Sequence, residues 1–189
     1  QGGSASLLTG TPGEFPPTSH ALRLWLAGTM ELTHYRFHEA QRLLGEAVLR
    51  ARESGDEALA VHAGLSHAEV LFMLNDYSAS LDAARDAFAH CQATGDPLHE
   101  ADALTWIGAS LTQLSRYQEA FEKLHTALDR YKTLGRESRA CRALNYVAIV
   151  HEELGDIEEA FRVYEQALAA GEADGDTDMC GRVMSNVGE

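Results

Sequence analysis

The chain has 189 residues, 45% of them hydrophobic, and a formal net charge of −14 from 15 basic and 29 acidic residues. That hydrophobic share excludes global disorder, and the acid surplus argues against nucleic-acid or anionic-membrane binding, which rests on Lys and Arg neutralising phosphates. Cys91, Cys141 and Cys180 are odd in number and form no C-x-x-C, which fits reduced thiols in a cytoplasmic protein better than a disulfide framework, and no apolar run reaches the length of a membrane span.

Residues 1–17 contain Pro12, Pro16 and Pro17, three of the four prolines, among Gly, Ser and Thr. They read as an N-terminal tail or linker. One of its apolar side chains, Leu7, Leu8 or Phe15, is expected to dock on the repeats or on a neighbouring copy. The chain opens on Gln1 rather than Met, so the native N-terminus is expected further upstream.

From residue 21 onward the sequence repeats itself with a period of 40. Gly55, Gly95, Gly135 and Gly175 share one column. Small residues share others: Ala47, Ala87, Ala127 and Ala167; Ala40, Ser80, Ala120 and Ala160; Gly28, Ala68, Gly108, Ala148 and Gly188. Bulky Phe37, Tyr77, Tyr117 and Ile157 fall in the same register. This divides the chain into four units, 21–60, 61–100, 101–140 and 141–180, and a partial fifth, 181–189.

Each unit reads as two amphipathic helices. In the third, Leu104, Ile107, Gly108 and Leu111 recur at helical spacing, and Tyr117, Ala120, Phe121, Leu124, Ala127 and Leu128 do so again. The turns between them are Leu74-Asn75-Asp76, Leu114-Ser115-Arg116 and Leu154-Gly155-Asp156. After the second helix, Gly55-Asp56, Gly95-Asp96 and Gly175-Asp176 each pair a helix-ending glycine with an aspartate suited to cap the next helix. Pro97 then occupies a first helical position, where its missing N–H costs nothing. Small residues let two helix backbones approach closely, and each hairpin leaves an apolar face that only the next can cover. The fifth unit stops inside its first helix at Glu189, so a longer parent protein is expected, with Met184 and Val187 left on an uncovered face that favours homodimers or end-to-end association.

These columns resemble the tetratricopeptide repeat family. Leu104, Ile107, Gly108, Leu111, Tyr117, Ala120, Leu124 and Ala127 match its signature, as do Leu144, Val147, Ala148, Gly155, Ala160, Tyr164 and Ala167. The family period is about 34 residues, and the six extra here amount to about 9 Å of helix. The long repeat is similar to those of kinesin light chains and bacterial regulators. Departures are Gly64 and Ser80, His151 at a usually aromatic position, and the absence of a proline closing the second helix. The resemblance implies an all-α fold: a right-handed α-solenoid of stacked antiparallel helix pairs, with about four full repeats plus the first helix of a fifth.

The same resemblance implies that the first helices line a concave groove for a protein or peptide. From successive units it would present Trp25 and Thr29; His62, Glu69, Phe72 and Met73; Thr105 and Trp106; Arg142, Asn145, Tyr146 and Ile149; and Arg182 and Asn186. Asn145 and Asn186 suit a peptide backbone, because an amide both donates and accepts. Arg142 and Arg182, one turn before them, suit a carboxylate. Together they are expected to form a polar end, opposite an apolar end around Trp25, Phe72 and Trp106. The lysines of the family's carboxylate clamp are absent, which excludes that ligand class.

No cofactor or metal is implied. His34 and His38 are four apart but straddle a turn, and His62 and His67 diverge. No phosphate loop or G-x-S-x-G elbow occurs, so no enzyme is read here. The reading is a binding scaffold. The alternative is a sensory or self-association segment of a bacterial signalling protein, such as a transcription regulator or a cyclic-nucleotide enzyme, whose output domain lies outside this chain.

Overall fold

The computed structural model describes residues 17–188. Within them the first helices of the units are α1 (Pro17–Thr33), α3 (Glu57–Met73), α5 (Pro97–Gln113), α7 (Cys141–Glu153) and α9 (Thr177–Val187). The second helices are α2 (Phe37–Glu53), α4 (Tyr77–Thr94), α6 (Tyr117–Thr133) and α8 (Ile157–Asp174). The expected docking of Leu7, Leu8 or Phe15 lies outside the described residues.

Capping fixes where the first helices begin. The carboxylates of Asp56, Asp96 and Asp176 accept the backbone N–H of Leu59, His99 and Met179 at 3.0, 3.1 and 3.0 Å. Each satisfies one of the donors that a helix start leaves without a partner. Position 136 breaks the column with an arginine, which makes no side-chain cap, and the following turn, Glu137–Ala140, winds as a tighter 3-10 helix before α7 begins. With that 3-10 turn counted as part of the fourth, the first helices open at 17, 57, 97, 137 and 177, so units counted from 21, 61, 101, 141 and 181 begin one turn inside them.

Left-handed residues end the helices. Gly55, Gly95, Gly135 and Gly175 have φ of 69, 68, 62 and 75°. The turns inside the units use the same conformation at Tyr35, Asn75, Ser115 and Gly155, with φ of 59, 61, 57 and 83°. Asn and Gly adopt it readily, whereas Tyr35 and Ser115 are held there by the hairpin.

The small columns are the buried seams of the hairpins. Ala40, Ser80, Ala120 and Ala160 are at most 2% exposed. Ser80 fits because its hydroxyl donates to the Ala68 carbonyl at 2.8 Å and accepts from the Ser110 hydroxyl at 3.0 Å. Gly28 and Gly108 lie so close to the second helix that a Cβ would stand 2.6 Å from Leu44 Cγ and 2.5 Å from Leu124 Cγ. In the second unit the same two positions are Ala68 and Ala84, so a larger residue on one helix is matched by a smaller one on the other.

Packing follows the chain: each helix lies against the one before and the one after. Neighbouring first helices also touch, α1 on α3, α3 on α5, α5 on α7 and α7 on α9, whereas among the described residues no second helix approaches the next second helix. The first helices therefore crowd the inside of a curved array and the second helices splay outside, giving an all-α solenoid. Curvature brings α9 back toward α3, so that Arg182 Nη1 lies 3.6 Å from Met73 Sδ. On α9, Met179 and Val183 are buried and Met184 is 58% exposed. Val187, expected on the bare face with Met184, packs instead against the main core. Among the described residues no helix is long and apolar enough to cross a membrane.

Candidate ligand-binding groove

Two adjoining cavities, of about 290 and 450 Å³, run along the inner face and share Ser66 and Glu69. Their walls come mainly from the first helices, because those are the ones the curvature faces toward each other. The first cavity gathers Trp25, His62, Glu69, Thr105, Trp106 and Arg142 from the sequence-derived set. The second gathers Thr29, Glu69, Met73 and Arg182.

The first cavity holds an arginine between two partners. The Arg142 guanidinium lies 4.3 Å over the Trp106 ring. Its Nη2 is 3.5 Å from Glu69 Oε1, across 73 residues of sequence. Trp106 is 4% exposed and rests on Phe72, which in turn touches Tyr146 at 5.7 Å between ring centroids. Burial pushes the Tyr146 phenol up to about 12, so it stays neutral. Phe72, Asn145, Tyr146 and Ile149 belong to the floor or the core and line neither cavity.

Trp25 bridges packing and groove. Its indole N–H donates to Ser66 Oγ at 3.1 Å, and its ring lies tilted on His62 at 5.4 Å. His62 meets His99 edge-on at 4.6 Å. Burial, and then the neighbouring His99, lower the pKa of His62, so it enters the groove wall as a neutral ring.

The expected separation into a polar and an apolar end does not occur. Arg142 sits on an aromatic ring rather than apart from it, and Arg182 pairs with Asp178 at 3.1 Å beside Met73. The two amides bond to each other: Asn186 Nδ2 donates to Asn145 Oδ1 at 2.9 Å, tying α9 to α7 with Asn145 4% exposed. A buried amide needs a partner, and this one finds it in the first helix of the following unit rather than in a ligand. Asn186 lines a separate cavity of about 220 Å³ with Ile157, Phe161 and Tyr164 of α8.

Several lining residues escaped the sequence reading. Ser138, Arg139 and Asp176 lie in the turn before units 4 and 5 as counted from the family register. The period of 40 carried the signal, since the extra turn lengthens the first helix backward into the groove. Tyr131 and Asp174 come from the ends of second helices. The Tyr131 hydroxyl donates to Asp102 Oδ1 at 2.7 Å, and Arg139 approaches the other oxygen at 3.4 Å. Ser138 donates to Asp174 at 3.0 Å. Burial, reinforced by Asp102, raises the Tyr131 pKa far above its ordinary value, so it serves only as a neutral hydrogen-bonding group. The groove is thus walled by paired charges and hydroxyls over an aromatic floor, which equips it to hold a ligand by exchanging partners.

Comparison with known proteins gives the following. The tetratricopeptide repeat profile matches residues 99–173. A profile of anaphase-promoting complex subunit 5 matches residues 24–73. A curated relative, Protein FLUORESCENT IN BLUE LIGHT, chloroplastic, of Arabidopsis thaliana, is 32% identical over 83 residues, which is 44% of this chain and 26% of that protein. The apo form of RapI superposes with a TM-score of 0.78 at 13% identity, over 90% of this chain and 62% of that one. A Rap protein complexed with Competence and Sporulation Factor superposes with a TM-score of 0.74 at 13% identity, over 92% of this chain and 54% of that one. The chain therefore spans about a quarter of the curated relative and less than two thirds of either structure, and likeness at such identities shows the fold alone.

Proposed function

We propose that this chain, which matches the tetratricopeptide repeat profile over residues 99–173, is a binding scaffold rather than a catalyst, and that its concave groove takes an extended peptide or a helix of a partner protein. The observation that carries the reading is the continuous pair of cavities on the inner face, joined at Ser66 and Glu69. A Rap protein of the same fold holds Competence and Sporulation Factor, which supports a partner-holding role for this shape.

Within the groove, Glu69 and Arg142 are the exchangeable pair. Both are about 30% exposed at the side chain, so a ligand reaches them without unfolding anything. A ligand carboxylate takes the guanidinium while Trp106 holds it flat, and a ligand cation takes the freed Glu69. Trp25, half-buried, supplies the aromatic surface a ligand can reach, while Trp106, 4% exposed, forms the floor beneath Arg142.

Both tryptophans of the chain line the first cavity, so their emission reports on occupancy. The test pans a displayed peptide library on the chain and titrates the recovered peptides by tryptophan fluorescence. Expected is a change in emission and a loss of affinity of about tenfold or more, or about 1.4 kcal/mol, in Arg142→Ala or Glu69→Ala. Peptides whose affinity ignores both substitutions and leaves the emission unchanged would overturn the assignment.

A further inference from the structure

Two of the three cysteines meet at the edge of the groove, whose first cavity Cys141 helps to line, over the one position in its column that has no side chain. Positions 51, 91, 131 and 171 are forty residues apart and hold Ala51, Cys91, Tyr131 and Gly171, all buried. At Gly171 on α8, an added Cβ would stand 2.7 Å from the sulfur of Cys180 on α9 and 2.9 Å from the sulfur of Cys141 on α7. Both sulfurs therefore crowd the same bare Cα, and the two distances place them no more than about 5.6 Å apart. One turn further along, the Asn145–Asn186 bond of 2.9 Å holds the same two helices together.

We propose that Cys141 and Cys180 form a peroxide-sensitive thiol pair that closes to an intramolecular disulfide and staples α7 to α9. The Cys180 sulfur, half-buried, attacks one oxygen of hydrogen peroxide; the O–O bond breaks, Cys180 becomes a sulfenic acid, and the other oxygen leaves as water after taking the thiol proton. The Cys141 sulfur then displaces hydroxide from the Cys180 sulfur. The S–S bond forms as the S–O bond breaks, and the hydroxide takes the Cys141 proton as a second water. Two thiols are oxidised by two electrons and one peroxide is reduced to two waters.

The order of the steps follows from burial. Cys141 is 3% exposed, and burial, with Cys180 and Asp176 adding to it, pushes its thiol up to about 11. It is a poor first nucleophile but stands beside the sulfenic sulfur. A disulfide needs about 2.05 Å between sulfurs, so each side chain turns inward over Gly171, where no Cβ blocks the way. Cys91 is fully buried on α4 and takes no part. The staple would join the helix that carries Arg142 to the one that carries Arg182, although its formation does not depend on the groove reading.

The test treats the folded chain with hydrogen peroxide, blocks free thiols, and maps peptides by mass without reduction. Expected are a monomer lighter by two hydrogens, a peptide pair joining Cys141 to Cys180, and a higher Tm than the reduced form. Cys180→Ser loses the link and the Tm rise, while Cys91→Ser keeps both. Gly171→Ala retains both thiols but sets a methyl group against them, and it cross-links several-fold more slowly. Oxidation that stops at sulfinic acid on Cys180, links only between separate chains, or pairing that appears only in urea would each overturn the proposal.

Discussion

Gly108 and Gly181 show how differently one residue type behaves in two helices. A Cβ at Gly108 would stand 2.5 Å from Leu124 Cγ, and Leu124 is fully buried, so the leucine has nowhere to go. Gly108→Ala is expected to cost about 1–3 kcal/mol through overpacking. A Cβ at Gly181, inside α9, meets nothing within 4 Å. Gly181→Ala is expected to gain up to about 1 kcal/mol from helix propensity. Urea unfolding of both variants checks the pair; equal effects would show that helix propensity, not the close approach, governs the Gly108 seam. The sequence column marked Gly108 as small, but the facing leucine that makes it obligatory was visible only in three dimensions.

At the scale of the element, side-chain caps set most of the first-helix starts apart from the start of α7. Asp56, Asp96 and Asp176 cap through their side chains, and Arg136 in the same column does not. A 3-10 turn follows Arg136, whereas α2, α6 and α8 begin directly as α-helix without a side-chain cap at Arg36, Arg116 and Asp156. Arg136→Asp is expected to supply the missing acceptor, extend α7 backward as an α-helix and stabilise the chain by about 0.5–2 kcal/mol. A thermal melt and far-ultraviolet circular dichroism read both effects; an unchanged Tm would mean that the turn is set by packing on α8 rather than by the cap. The glycine–aspartate pairs made these starts legible in the sequence. The 3-10 turn was not read, although the arginine that breaks the column was in plain sight.

Across the whole molecule, neutral histidines couple the fold to pH. Burial lowers the pKa of His62, His67 and His125 below the ordinary value of 6.5. The unfolded chain then binds protons more readily than the folded one, so this stability is present above about pH 6.5 and is lost as pH falls through the depressed native values. Acid also relieves the self-repulsion of a chain with net charge −14, which works in the opposite direction. His67→Gln separates the two, because His67 is shifted by burial alone. Between pH 7.5 and 5 the variant is expected to lose less stability than the parent in urea unfolding. Identical slopes would show that His67 carries no share of the pH dependence.

The sequence by itself determined the period, the hairpins, the capped starts, the left-handed glycine ends and the small seams. Each depends on interactions within a helix turn, or between two helices joined by a short turn, and spacing along the chain encodes those directly. Only the tertiary structure decided that Glu69 pairs with Arg142, that Arg182 reaches Met73, that Asn145 and Asn186 satisfy each other, and that Cys141 and Cys180 share the space over Gly171. Those meetings depend on how far each hairpin rotates on the last, and a small rotation summed over four hairpins sets which side chains face one another across the groove.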